Sequence, residues 1–262
     1  MTTAPSQGDL ILVFDAGTQS IRAALIDLEG QIRHIVKTPI TPYFSHRPGW
    51  AEQEPGYFWD NLAATSRKLL GAEGVDRERI AGVTLTSQRD TVINLDKQGQ
   101  PLRPAIIWLD GRAPEQAERL MRKFLGRRIF ALVAGAELSG KDGMPKLLWL
   151  KENEPQVYHG MACFLDVNGY LTYRATGQMV FEWSGASAFG LDLKKKDWLR
   201  GIIRYMGLDL EKFPPLVRSV DQVGGLTTEA ARDCGLLEGT PVFGGGGDVP
   251  GAAVGSGAVG EG

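Results

Sequence analysis

The sequence is poor in the residues that mark several large functional classes. Its 262 residues include only two cysteines, Cys163 and Cys234, which lie far apart and outside any CxxC or Cys/His cluster. Neither a disulfide framework nor a zinc site is therefore indicated, and free thiols are typical of a reducing cytoplasm. No segment approaches the roughly 20 consecutive apolar residues that span a bilayer. The first ten residues do not read as a secretory signal, so we expect a cytoplasmic protein without a membrane partner.

An excess of charge of one sign is also missing. The 29 Lys and Arg residues nearly balance the 31 Asp and Glu residues, for a formal net charge of −2. No overall positive field therefore favours nucleic acid as a partner. The motif GxxxxGK[ST] does not occur, which excludes a P-loop. The hydrophobic share of 43% and the charged share of 23% are ordinary for a globular protein with a sizeable core.

Short apolar runs separated by turn residues predict the order of strands and helices. Residues 10–14, 21–26 and 31–37 form three such runs, joined by glycine-containing turns, and predict an antiparallel meander. Thr227 or Thr228 and Gly235 are suitable caps for a late helix. Strands alternating with helices predict an α/β protein with a mixed sheet. The later elements are predicted at residues 79–86, 91–95, 105–108, 114–125, 145–152, 161–166, 167–176, 227–234 and 241–243.

Polar residues stand at the ends of four predicted strands. Ligands in open α/β sheets bind outside such strand ends, where loops converge. The pattern therefore favours a binding site, although each residue taken singly is more often a turn residue, a surface ion pair or a core tryptophan. The residues are Asp15, then Gln88, Arg89 and Asp90, then Trp108, Asp110 and Arg112, and finally Asp248 after four glycines.

Three of these places suit distinct chemical tasks. A carboxylate at Asp15 can hold a metal or a water, and the following turn, with Gly17, can approach a phosphate closely. Planar polar groups at 88–90 and the indole of Trp108 suit a neutral sugar, whose hydroxyls need hydrogen bonds and whose C–H surface an aromatic ring can cover. The glycines before Asp248 allow close backbone approach and hinge motion, and its carboxylate can accept a proton from a hydroxyl.

Six stretches of the sequence form a distinctive set: DAGTQSIRAALID at 15–27, PGWAEQEPGYFW at 48–59, TSQRD at 86–90, RPAIIWLDGRA at 103–113, PKLLWLKENEP at 145–155 and GGGGDVPGAAVGSG at 244–257. Together they cover nearly the whole chain. In this order they resemble the FGGY family of carbohydrate kinases, which includes glycerol, xylulose and gluconate kinases.

The resemblance implies an actin-like, ribonuclease-H-like α/β fold with a mixed central sheet, as the first of two domains that flank a cleft. Residues 1–246 would form the sugar-binding N-terminal domain. Residues 247–262 would begin the segment that leads to an ATP-binding domain without a counterpart in this sequence. We therefore expect a truncated chain that has no kinase activity by itself.

The resemblance also implies a role for each site residue, with ATP and Mg²⁺ as cofactors and a sugar or polyol as substrate. Asp248 would be the catalytic base, and Asp15 and Asp248 would hold the metal. Glycerol kinases carry Arg-Glu where this sequence has Arg89-Asp90, and xylulose kinases carry Gln-Met-His-Gly at residues 87–90, so the substrate stays unassigned. The implied substrate contacts are Gln88, Arg89, Asp90 and Trp108. The implied phosphate-binding residues are Asp15, Gly17, Thr18, Gln19, Ser20 and Arg22.

Two other interpretations stay open. One is another actin-like kinase, or an ATPase of the chaperone kind, although the sugar-type residues Arg89, Asp90 and Trp108 argue against the ATPase. The other is a non-catalytic sugar-binding module. Each of these interpretations is compatible with a homodimer.

Overall fold

The computed structural model describes residues 8–124, 126, 128, 132 and 137–258. Residue 125, the last of the helix predicted over 114–125, lies outside the described residues. So do residues 1–7 and the last four residues of the segment predicted at 247–262. Among the described residues, each helix is too short or too polar to cross a membrane.

The elements follow one another in chain order. The strands are β1 (Leu10–Ala16), β2 (Ser20–Asp27), β3 (Ile32–Pro39), β4 (Glu52–Gln53), β5 (Ile80–Ser87), β6 (Ile93–Leu95), β7 (Ala105–Ile106), β8 (Cys163–Leu165), β9 (Phe181–Glu182), β10 (Leu191–Asp192), β11 (Asp197–Trp198), β12 (Leu216–Val217), β13 (Gln222–Gly225), β14 (Pro241–Phe243) and β15 (Gly246–Gly247). The α-helices are α1 (Pro55–Leu70), α2 (Pro114–Lys123), α3 (Gly143–Asn153), α4 (Pro155–Gly160), α5 (Val167–Thr176), α6 (Trp183–Ala186), α7 (Arg200–Met206), α8 (Thr228–Cys234) and α9 (Asp248–Gly255).

The main sheet has the order β13-β14-β5-β1-β2-β3, and β15 pairs with β5. The meander predicted at the start of the chain is confirmed, since β1 pairs with β2 and β2 with β3, both antiparallel. β5 is parallel to β1, and β14 and β15 are parallel to β5. The sheet is therefore mixed. The parallel strands β1, β5 and β15 have their carboxyl ends at the same end of the sheet, which is called the sheet edge below.

Helix ends follow their local sequence. The α5 helix begins where the side chain of Asp166 accepts a hydrogen bond from the amide of Gly169, and it ends at Gly177 with φ of 77°. The side chain of Thr227 caps α8 in the same way, and Gly235 ends it with φ of 75°, as the caps predict. The helix predicted from Pro145 starts two residues earlier, at Gly143, so that the proline lies inside its first turn.

The core lies between the sheet and the helices that cover it. Phe164 packs edge-on against Phe181 and Phe213 and lies tilted against Phe189, which joins β8 and β9 to the segments after α6 and α7. Both cysteines are free and buried. Burial raises the pKa of the Cys163 thiol to about 11, so it stays protonated and packs as a small apolar side chain.

Candidate functional site

Three parallel strands meet at one place on the sheet edge. Ser87, the last residue of β5, pairs with Ala16 of β1 on one side and with Gly247 of β15 on the other. Asp15 directly precedes Ala16, and Asp248 directly follows Gly247. The strand register therefore brings two of the sequence-predicted carboxylates to opposite sides of the end of β5.

The turn after Asp15 is held by its own backbone and by a cross-strand ion pair. Asp15 and Arg22 are register partners in the β1–β2 hairpin, and Nη1 of Arg22 lies 2.5 Å from Oδ2 of Asp15. The amide of Gly17 donates to the carbonyl of Ser20 at 3.1 Å, which closes the turn. The side chain of Asp15 is 30% exposed. The predicted phosphate loop is thus a fixed turn whose carboxylate still faces solvent.

A chain of hydrogen bonds joins this turn to the predicted sugar-binding residues. Nε1 of Trp108 donates to Oγ1 of Thr18 at 2.8 Å, and Oγ1 of Thr18 donates to Oε1 of Gln88 at 3.1 Å. Trp108 is 39% exposed, so the bond to Thr18 fixes an indole that is partly open to solvent. Nε2 of Gln88 is buried and has no hydrogen-bond partner among the described residues. Leaving a buried amide N–H unpaired costs free energy, which a partner that reached it would offset.

Arg89 lies against the glycine that precedes Asp248. A Cβ atom on Gly247 would lie 2.4 Å from Cδ of Arg89, so any larger residue there would displace the arginine side chain. Nη1 of Arg89 lies 3.5 Å from the carbonyl oxygen of Ser184 and 3.5 Å from Oγ of Ser187. Arg89 and Asp248 therefore belong to the same part of the edge.

Asp90 has an unusual backbone and a buried support. Its φ is 58°, a left-handed conformation that few residues other than glycine adopt. Nζ of Lys146 donates to the carbonyl of Asp90 at 2.8 Å and to the carbonyl of Ile107 at 3.0 Å, and the amide of Gly143 donates to Oδ1 of Asp90. Lys146 thereby ties the loop of Asp90 to the residue before Trp108. Burial raises the pKa of the Asp90 carboxyl, against the opposing charge of Lys146, and lowers the pKa of Lys146 to about 8.

Asp248 is the exposed first residue of α9, and its Oδ1 accepts a hydrogen bond from the amide of Val249 at 2.8 Å. A carboxylate is favoured at this end of a helix. In the part of the chain that the structure describes, there is no group of three or more His, Cys, Asp and Glu side chains that could hold a metal. Magnesium at nucleotide sites commonly uses one or two carboxylates, with phosphate and water oxygens completing its shell. Asp15 and Asp248 supply two carboxylates at this edge, one on each side of the end of β5.

Asp110 and Arg112 do not join this edge, although both follow a strand end like the others. Arg112 lies inside the protein, paired with Asp110 and Glu52 at 2.7 Å each. Its guanidinium stacks on the ring of Trp50, 3.7 Å from the centroid. The loop after β7 therefore places Trp108 at the sheet edge and Asp110 and Arg112 in the core.

Three polar residues near Asp248 were not predicted from the sequence. Oγ of Ser184 accepts a hydrogen bond from the amide of Gly247 at 2.8 Å. Ser184 also donates to the carboxylate of Glu182, and Oγ of Ser219 donates to the other oxygen of that carboxylate at 2.7 Å. No strand-end carboxylate pattern or glycine run marks these residues, since they reach the site from distant segments of the chain.

Comparison with known proteins gives one family. The model of the FGGY family of carbohydrate kinases, N-terminal domain, matches residues 10–255. The chain is 31% identical over 253 residues to a xylulose kinase of Bacillus subtilis (strain 168), covering 96% of this chain and 50% of that protein. It is 31% identical over 255 residues to a glycerol kinase of Thermococcus kodakarensis, covering 95% of this chain and 49% of that protein.

A solved structure agrees in fold and extent. The xylulose kinase of Rhodospirillum rubrum superposes with a TM-score of 0.86 at 28% identity, over 95% of this chain and 51% of that chain. The chain thus spans about half the length of the relatives it matches. Because the family model covers nearly all of the described residues, the chain belongs to the FGGY family of carbohydrate kinases and corresponds to their N-terminal domain.

Proposed function

We propose that this chain is the sugar-binding half of an enzyme that transfers the γ-phosphoryl group of ATP to a hydroxyl of a sugar or polyol. The observation that carries the proposal is the register of β5, which brings Asp15 and Asp248 to the two sides of Ser87. The relatives, among them a xylulose kinase and a glycerol kinase, support an acceptor that carries several hydroxyl groups.

Asp248 is the catalytic base in this proposal. A sugar hydroxyl is a poor nucleophile until a base accepts its proton, and such help is typically worth roughly 100- to 10,000-fold in rate. The carboxylate of Asp248 is exposed at the sheet edge, where an incoming hydroxyl can reach it. The proton moves from the attacking oxygen to Asp248 as that oxygen bonds to phosphorus and ADP leaves.

Asp15 and Asp248 would hold Mg²⁺, which supplies charge neutralisation for the phosphates when it arrives with the nucleotide. The protein contributes the turn at residues 17–20 and the cation Arg22. Because Asp15 pairs with Arg22 across the hairpin, the guanidinium is held beside the place where phosphate oxygens would lie. A positioned cation there stabilises negative charge as the phosphoryl group transfers.

The acceptor is held by Gln88, Arg89, Asp90 and Trp108 in this proposal. The exposed face of Trp108 covers the C–H surface of the sugar, and the bond from its Nε1 to Thr18 fixes the ring. The unpaired amide of Gln88 donates to a hydroxyl, and Asp90 accepts from one. Discrimination is strong when polar groups of a site stay unpaired without the correct hydroxyl.

A second domain supplies the rest of the nucleotide site in this proposal. Residues 1–246 form the sugar-binding domain and residues 247–262 begin the connection to the ATP-binding domain. The support is the length comparison, since the relatives extend to about twice the matched length. Closure of two domains over the substrates would exclude water, which otherwise competes with the sugar as nucleophile.

The test is an ATP-dependent phosphorylation screen of the complete protein that contains this chain, against pentuloses, hexuloses, polyols and sugar acids. Wild type should phosphorylate one class, and Asp248→Asn should lower its turnover by roughly 100-fold or more while the sugar still binds. Calorimetric binding of a sugar without any turnover would support a non-catalytic module instead. Full activity in Asp248→Asn would remove this residue from the mechanism.

A further inference from the structure

Asp248 is exposed and follows four glycines, so its position depends on how the glycine segment is held. Glycine has more backbone freedom than other residues, and an unrestrained run would leave the carboxylate without a defined place. Instead, Gly246 and Gly247 pair with β5, and the amides of Gly245 and Gly247 both donate to residues elsewhere in the chain. The segment Gly244–Gly247 is a fixed part of the edge.

The two acceptors of these amides are serines. The amide of Gly247 donates to Oγ of Ser184 at 2.8 Å, and the amide of Gly245 donates to the carbonyl oxygen of Ser219 at 3.0 Å. A third link comes from Asn168, whose Nδ2 lies 3.4 Å from the carbonyl oxygen of Gly246. Hydrogen bonds therefore hold three consecutive residues before Asp248.

Both serines are joined to one buried carboxylate. Glu182 is 4% exposed, and its two oxygens receive four hydrogen bonds from neutral donors. Hydrogen bonds to a charged acceptor are roughly twice as strong as neutral ones. The donors are the amide and Oγ of Ser184, the amide of Gly185 and Oγ of Ser219.

The chemistry of the carboxylate decides how Ser184 is oriented. An ionised carboxylate only accepts hydrogen bonds, so the hydroxyl hydrogen of Ser184 must point to Glu182. This leaves a lone pair of the same oxygen for the amide of Gly247. Glu182 therefore sets the direction of the bond that holds the residue directly before Asp248.

We infer that Glu182 and Ser184 are positioning residues for the catalytic base, acting through the amide of Gly247. The inference rests on the proposed function, because Asp248 is the base only in that proposal. Loss of the Ser184 hydroxyl frees the amide of Gly247 and lets Asp248 move away from the acceptor hydroxyl. A displacement of about 1 Å at a reacting group can lower a rate by roughly 100-fold.

The first experiment measures steady-state kinetics of Ser184→Ala and Glu182→Gln in the complete protein, with the sugar that the screen identifies. We expect kcat to fall about 10- to 100-fold in Ser184→Ala, with the KM for the sugar changed by less than about threefold. Ser184→Thr keeps a hydroxyl and should recover most of the turnover. Ser45→Ala is the matched control, since this exposed serine donates to the carbonyl of Arg47 in a loop.

The double variant with Asp248→Asn separates positioning from a general structural effect. If Ser184 acts through Asp248, Ser184→Ala should lower the activity of Asp248→Asn by less than about twofold. Equal factors in both backgrounds would overturn the inference while leaving Asp248 as the base. Activity retained by Asp248→Asn would count against the proposed function itself.

A second measurement does not depend on turnover. Hydrogen exchange at the amide of Gly247 reports its bond to Ser184 directly, and protection should fall at least tenfold in Ser184→Ala and less in Ser184→Thr. Amides of the β1–β2 hairpin serve as internal reference and should keep their protection. Unchanged protection at Gly247 with a folded variant would overturn the inference.

Discussion

Two clusters of paired carboxylates and guanidinium groups differ in what surrounds them. The buried cluster consists of Glu52, Arg103, Asp110 and Arg112, with side chains between 0% and 9% exposed. At the sheet edge, Asp15 and Arg22 also form a short ion pair, with side chains 30% and 44% exposed. Ion pairing alone therefore does not distinguish a structural charge from a candidate functional one.

The difference lies in how completely protein atoms enclose each charge. Asp110 accepts from the amides of Ala51 and Arg112 as well as from the guanidinium, so its oxygens are occupied from several directions. Trp50 and Trp149 cover the guanidinium of Arg112. Charges so enclosed cannot turn to a ligand without losing their solvation by the protein. At the edge, by contrast, Asp15 and Asp248 keep faces open to solvent.

The largest expected effect is on the free energy of unfolding and concerns the buried cluster. Arg112→Ala leaves Asp110 and Glu52 buried without their shared cation, so the free energy of unfolding should fall by about 3–5 kcal/mol. Urea denaturation of the chain measures this change. The control Arg232→Ala removes an exposed partner of Asp233 and should cost less than about 1 kcal/mol. A stable Arg112→Ala protein with impaired sugar binding would show that Arg112 acts in binding and not in stability.

The next largest effect is on turnover and concerns Asp15 at the sheet edge. Asp15→Asn keeps the size of the side chain and removes its charge, and turnover of the complete protein should fall on the order of 100-fold because an electrostatic group at the phosphates is lost. The free energy of unfolding should change by less than about 1 kcal/mol, since the pair with Arg22 is partly exposed. Asp197→Asn, which breaks the exposed pair with Arg200, is the matched control. Normal turnover in Asp15→Asn would make Asp15 a plain turn residue.

Local signals explain which parts of this comparison the sequence could predict. Apolar alternation predicts the β1–β3 meander, and capping residues predict α8. The strand-end pattern favours a binding site that includes Asp15 and Asp248, because loops converge outside strand ends. The same pattern cannot separate Trp108 from Arg112, since the difference depends on Glu52 and Trp50 from another segment. Glu182 and Ser184 likewise reach Gly247 only through the folded chain.

Lys146 has features of both regions. It is buried like the charges around Arg112, but it donates to the carbonyls of Asp90 and Ile107, beside the proposed sugar-binding residues. Burial lowers its pKa from 10.5 to about 8, so the unfolded chain binds a proton more tightly than the folded protein. Between pH 8 and pH 10.5 the unfolded state holds more protons, and this residue's contribution to the free energy of unfolding rises with pH. We expect wild type to gain on the order of 2 kcal/mol relative to Lys146→Met across that window. A difference that stays constant with pH, measured by urea denaturation, would contradict the shift.

The smallest expected effect concerns Trp108, the residue of the loop after β7 that lies at the sheet edge. Trp108→Phe keeps an aromatic face but loses the N–H bond to Thr18, and one such bond is worth about 0.5–1.5 kcal/mol. Affinity for the sugar should therefore fall roughly two- to tenfold, while urea denaturation should show the buried cluster intact. Thr18→Val removes the same bond from its other end, together with the bond from Thr18 to Gln88, so the double variant should bind about as well as Thr18→Val alone. Calorimetric titration measures all three, and unchanged affinity throughout would place the sugar away from the indole and leave Trp108 as a surface residue.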